Sequence, residues 1–222
     1  MVADHIQDEE QVEALKRWWD ENGRSTLIAV GLAVAGTVGW QQYQQWDANQ
    51  AAAASDQYAE VLRMREAGEN GAVLRELVEG LKQNHSSSTY AAFAALQLAA
   101  DAVGREAWDE AESQLRWVLT QGAGERIDAL AQLRLARVLA AGGDESGALA
   151  ILESGNAVYP VAFAMALGDI HLAAGRESEA LTAYRDAESA ALLLGNVPAM
   201  LETKIDALAS RQGGDDTQGA TS

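Results

Sequence analysis

Side chains able to serve as general bases, nucleophiles or metal ligands are few and scattered in this chain. The imidazoles are His5, His85 and His171, in three different segments. Their spacing matches neither a two-histidine metal motif nor a histidine-based nucleophile triad. With no cysteine, a disulfide framework, a thiolate metal site, a cysteine nucleophile and a lipid-bearing cysteine are all excluded. The adjacent acids Asp109 and Glu110, and Asp144 and Glu145, stand in turns or first helical turns, where negative charge complements the helix dipole. As an acid and base pair they would need a cleft that the sequence does not show. The glycines at 122–124 and 142–143 lack a following GK[ST] element and a preceding strand, so a phosphate loop is unsupported. These residues point to no enzyme, no metal and no cofactor. His171 reads as a structural histidine on a packing face, and His85 as part of a polar turn.

What remains is a chain whose function rests on its surfaces. The formal charge is −17, with 33 acids against 16 bases, which argues against nucleic acid and against anionic lipid headgroups as partners of the region after residue 46. A hydrophobic content of 48% is ample for a folded core.

The run STLIAVGLAVAGTVGW at 25–40 carries no charge and is bracketed by Trp18 and Trp19 on one side and Trp40, Tyr43 and Trp46 on the other. An apolar helix satisfies its backbone polar groups internally, and indole rings favour the headgroup level. The pattern predicts a single transmembrane anchor over 25–46. The apolar core rises only about 24 Å, so the segment from Gln41 to Gln45 must sit at the interface; a buried core helix is the competing reading. The tail 1–24 holds Lys16, Arg17 and Arg24, and no base follows the span until Arg63. The positive-inside rule then keeps the N-terminus cytoplasmic and exports the rest, as a type II signal anchor. A cleaved signal peptide fits less well, since the leading tail is long and no cleavage-site alanines follow the apolar core closely. Within the tail, 7–24 predicts a short amphipathic helix with Val12, Leu15 and Trp19 on one face and a stop at Asn22 and Gly23. Gly31, Ala35 and Gly39 recur every fourth residue, a smooth strip suited either to packing against another membrane helix or to no specific contact.

From Asp47 onward the alanine- and leucine-rich pattern has helical periodicity and no strand-like alternation, so the fold class is all-α. Glycine-rich and polar breaks at 67–71, 84–88, 103–104, 122–124, 142–143, 155–156, 175 and 195–196 divide it into short helices ending near residue 210. The composition of 211–222 predicts a flexible tail. The stretch GGDESGALAIL at 142–152 aligns with AGRESEALTAY at 174–184, setting Gly143 against Gly175 and Ala148 against Ala180. The spacing resembles the tetratricopeptide repeat. Ala164, Leu167, Gly168 and His171 take its first-helix packing positions; Ala180, Tyr184 and Ala187 take the second-helix ones. A preceding copy matches through Leu135, Ala136, Ala148, Leu152 and Pro160, and a looser one through Ala111, Leu115 and Val118, with a longer turn after Gly104.

The whole chain, over about 8–209, resembles the YfgM family of bacterial inner-membrane proteins. The resemblance is carried by EEQVEALKRWWDENG, the glycine-rich span with its GW exit, TYAAFAALQLA and LRLARVLAAGG. It implies a single N-terminal transmembrane helix, a periplasmic tetratricopeptide-like domain over 47–210, and an ancillary role at the SecYEG translocon beside the periplasmic chaperone PpiD.

In such arrays the concave groove is lined by first-helix positions facing away from the paired helix. These are expected to be Leu130, Leu133, Arg137 and Ala140 in one copy, and Ala162, Met165, Asp169 and Leu172 in the next. One arginine and one aspartate do not suit capture of a chain terminus; an apolar groove suits a hydrophobic or helical segment of a partner. The same residues could instead close the array by packing on neighbouring hairpins. The expected function is a membrane-anchored, chaperone-like adaptor for secretory proteins. The alternatives are a self-associating envelope scaffold and a regulator working through its cytoplasmic tail.

Overall fold

The computed structural model describes residues 2–68, 71–155 and 157–219. Glu69, Asn70 and Asn156 of the expected turns, and the last three residues of the expected tail, lie outside the described residues, as does the side chain of His5. The described residues are all-α, in two compact units, 1–53 and 54–222. Nine helices are described: α1 (Val2–Glu66), α2 (Ala72–Asn84), α3 (Thr89–Gly104), α4 (Trp108–Gln121), α5 (Glu125–Ala141), α6 (Glu145–Glu153), α7 (Pro160–Ala173), α8 (Glu177–Leu193) and α9 (Ala199–Gly219).

In the first unit the expected stop at Asn22 and Gly23 is absent; α1 runs through both. The Asn22 side-chain amide donates to the Trp18 carbonyl at 3.1 Å, and Ser25 Oγ donates to the Asn22 carbonyl at 2.8 Å. Both polar side chains thus bond along the helix instead of capping its end, and the Trp19 indole covers Gly23. The expected apolar face of the tail is open, with Val12, Leu15 and Trp19 exposed. Leu27, Ile28, Val30, Leu32, Val34, Val38 and Trp40 are exposed too, at 54–69%. Among the described residues no helix is long and apolar enough to cross a membrane by hydropathy. Ser25, Thr26, Gly31, Gly36, Thr37 and Gly39 dilute the apolar run at 25–40.

The second unit is built from antiparallel hairpins. α3 packs on α4, α5 on α6 and α7 on α8, while α5 also touches α3 and α7, so the first helices of successive hairpins line up side by side. Of the packing residues read from the repeat, Ala111, Leu115, Val118, Leu135, Ala136, Ala148, Leu152, Gly168, Ala180, Tyr184 and Ala187 are buried, whereas Pro160, Ala164, Leu167 and His171 are half-buried. Small residues bring the helices of a hairpin together, and larger ones fill the space beside them. Three apolar clusters result: one joining the end of α1 with α2 and α3, one running from α3 to α7, and one joining α7, α8 and α9.

Helix endings repeat along with the packing. After α5, Gly143 adopts φ 94° and Asp144 N–H donates to the Leu139 carbonyl; after α7, Gly175 adopts φ 76° and Arg176 N–H donates to the His171 carbonyl. This is the Schellman arrangement, which needs a left-handed residue. After α3 the same bonds form, Ala107 to Ala102 and Glu106 to Val103, but the left-handed position falls on Glu106, φ 57°. The longer turn of the looser copy has moved its glycine two positions too early. At the other end of the unit α9 continues to Gly219, so residues 211–219, expected as a flexible tail, are helical.

Candidate partner-binding surface

The aligned first helices α3, α5 and α7 make an inner face with two hollows. The first, about 420 Å³, lies between α3 and α5 over the α4 floor, lined by Ala99, Ala100, Val103, Trp108, Leu115, Arg134, Arg137, Val138 and Ala141. The second, about 490 Å³, lies between α5 and α7, and Arg137, Glu145 and Asp169 are its polar members. Arg137 and Ala141 belong to both.

The expected groove residues divide. Arg137 and Asp169 are on the second hollow, as is Ala140. Leu133 is 5% exposed within the central core, and Leu130 and Ala162 pack against that core. Met165 and Leu172 pack against the α7, α8, α9 cluster. The α5 residues that border the two hollows are Arg134, Arg137, Val138, Ala140 and Ala141, so the expected Arg137 and Ala140 are among them and Leu130 and Leu133 are not. The clue was polarity. In the second half of α5, where leucine and alanine dominate, Arg134 and Arg137 mark the face toward water, and Leu130 and Leu133 the face toward the core. Trp108 was missed because it opens the partner helix, where no repeat position points to it.

Asp169 is engaged from two sides. The Tyr184 hydroxyl donates to its Oδ1 at 2.6 Å, and Lys204 Nζ, which stands 5.2 Å over the Tyr184 ring, bonds the same oxygen. Burial, then the Asp169 carboxylate, push the Tyr184 hydroxyl well above the ordinary range for a phenol. The site is therefore a joint between α7, α8 and α9, with the hydroxyl kept protonated.

The acid pairs serve the scaffold. Asp144 caps α6, accepting from Gly147 N–H at 2.9 Å and from the Ser146 hydroxyl, and the Gly147 bond holds its carboxyl below the usual range. Burial raises the Glu110 carboxyl, but bonds from Arg75, at 2.8–3.0 Å, and from Arg105 outweigh it, and the net direction is down. Arg176 donates to both His171 Nδ1, at 3.0 Å, and Glu145, tying consecutive hairpins and occupying the imidazole nitrogen. His85 ends α2, its backbone N–H bonded to the Leu81 carbonyl. Among the described residues no group of three His, Asp or Glu is placed to hold a metal ion.

In the first unit Lys16, Arg17 and Arg24 are exposed, and so are Gly31, Ala35 and Gly39. A Cβ placed on Gly31 or Gly39 would meet open space. Thr37 Oγ1 donates to the Ala33 carbonyl at 2.8 Å.

The family model described as a tetratricopeptide repeat-like domain matches residues 16–210. A Haemophilus influenzae protein named ancillary SecYEG translocon subunit is 32% identical over 191 residues, covering 84% of this chain and 91% of that protein. Proteins of the same name from Neisseria gonorrhoeae and Escherichia coli are each 30% identical. The first aligns over 84% of this chain and 90% of its own length, the second over 59% and 62%.

Proposed function

From a chain that belongs to the tetratricopeptide repeat-like family of ancillary SecYEG translocon subunits, we propose a non-enzymatic binding protein that is tethered to the bacterial inner membrane and acts at SecYEG. Its helical domain stands on the periplasmic side and receives segments of secretory or membrane proteins, or of a PpiD-type chaperone, as chains emerge. The observation that carries this reading is the inner face of α3, α5 and α7, where an apolar hollow of about 420 Å³ stays open beside a packed core. Concave apolar hollows with a few polar groups at the rim are the usual form of a site for another molecule's side chains.

The tether is the 25–46 stretch of α1. Its leucines, valines and tryptophans find no cover in the chain, and the hydroxyls of Ser25 and Thr37 bond to helix carbonyls, which lowers the cost of taking them into lipid. Hydropathy alone falls short of a span. Exposed Lys16, Arg17 and Arg24 before it favour a cytoplasmic N-terminus. The strip of Gly31, Ala35 and Gly39 supports close approach of another membrane helix.

Two measurements test the proposal. In spheroplasts, added protease should remove the region after Trp46 and spare the tail; protection of the helical domain would overturn the topology. Purified in mild detergent, the full-length chain should carry SecYEG with it, and its recovery alone would count against the partner assignment.

A further inference from the structure

The hollow between α3 and α5 carries an electrostatic feature at odds with its surroundings. The helical region from 47 onward has twice as many acids as bases, and most of its bases are engaged: Arg63, Arg75, Lys82, Arg105, Arg116, Arg176, Lys204 and Arg211 are all in ion pairs. Arg134 and Arg137 are not. Among the described residues neither has a carboxylate or hydrogen-bond partner, although both border the same hollow and no acid lines it. They stand one turn apart on α5, and Val138 and Ala141 continue their stripe. Behind them are Trp108, Val103 and the buried floor residue Leu115.

We infer that this hollow takes a protein segment in which a large apolar side chain is followed or preceded by a carboxylate. The apolar side chain fills the space against Trp108 and Val138, and the acid pairs with Arg134 and Arg137. This rests on the reading of the inner face as a partner site and names the chemistry of its occupant. The charge pattern supplies the argument. A domain this acidic repels acidic segments over most of its surface, so two unpaired guanidinium groups at an apolar hollow give local attraction where the general field is unfavourable. Guanidinium is also the cation best matched to a carboxylate, through paired parallel hydrogen bonds. The discrimination follows directly: apolar segments flanked by lysine are turned away by both the arginines and the missing acid, and acidic segments without an apolar anchor lack the burial needed for residence.

The test uses the full-length protein in detergent micelles and three fluorescein-labelled twelve-residue peptides sharing one leucine- and phenylalanine-containing core. One is flanked by glutamate, one by glutamine and one by lysine. Fluorescence anisotropy should rank glutamate over glutamine over lysine, with the first two separated by about tenfold in Kd at low salt and less at high salt. Joint replacement of Arg134→Gln and Arg137→Gln, both away from the core, should erase the glutamate preference and leave the glutamine peptide unchanged. Filling the hollow with Ala141→Trp should weaken the glutamate and glutamine peptides alike. Equal binding of the glutamate and glutamine peptides, with loss only in Ala141→Trp, would overturn the acidic preference and leave the inner face as a binding site. Absence of binding by every peptide, or binding untouched by all three substitutions, would overturn both.

Discussion

The Tyr184 ring occupies the space where Gly168 would carry a side chain: a Cβ built on Gly168 comes 2.5 Å from the ring. Tyr184 is fully buried and its hydroxyl is anchored on Asp169, so the ring cannot swing aside. Gly168→Ala should therefore destabilise the helical domain by about 1–3 kcal/mol through overpacking, read from urea unfolding of the full-length protein in micelles. Tyr184→Phe keeps the ring and removes one hydrogen bond, and should cost about 1 kcal/mol. A Gly168→Ala protein as stable as the parent would contradict the packing described.

The left-handed residue after α3 is a glutamate. Outside glycine and asparagine that conformation costs roughly 1–2 kcal/mol, and part of this is recovered from the stiffer unfolded chain. Glu106→Gly should then stabilise the protein by about 0.5–1 kcal/mol, seen as a higher unfolding midpoint at unchanged slope. The same change at an ordinary helical position such as Glu112 should lower it.

Glu110 links three helices through Arg75 and Arg105, and its carboxyl is held below its ordinary value of 4.5. A depressed carboxyl contributes stability above its unfolded pKa and loses it as pH falls through the folded value. Stability should decline as pH drops from about 5 toward 3. Arg75→Ala should flatten that decline by about 0.5–1 kcal/mol, measured by denaturant titration at successive pH values. An acid limb of unchanged slope would show that Glu110 gains nothing from Arg75.

Much of this architecture is legible in the residues. The breaks from Gly104 to Gly195 mark real helix ends because each supplies a left-handed or weakly helical position, and the matched Gly143 and Gly175 carry identical endings. The buried alanines at 148, 180 and 187 are equally legible, since small residues at repeat spacing have one use. Four features are not. Asn22 and Gly23 look like a stop, yet end nothing, because a stop needs a left-handed residue and the Asn22 side chain bonds backward instead. Residues 211–219 look like a tail and are helical, and the Gly213 and Gly214 pair does not end the helix. On α5 the repeat register places Leu130 and Leu133 on the groove, yet they turn to the core, and Arg134 beside Arg137 is the better guide to the residues that border the hollows. The pairing of buried Gln114 with Lys82 and Glu79, at 3.0 and 3.3 Å, has no signature in spacing, since its members come from separate hairpins.

The central claim is that the face shared by α3, α5 and α7 meets the translocon and its clients. A photocrosslinking residue placed at Ala141, exposed between both hollows, reports on it most directly, with Asp186, exposed on α8, as the control. In cells, Ala141 should yield adducts that contain a SecYEG subunit, a PpiD-type chaperone or a secretory chain in transit, and Asp186 should yield none of these. Adducts from Asp186 with Ala141 silent, or the same adducts from both positions, would contradict the account.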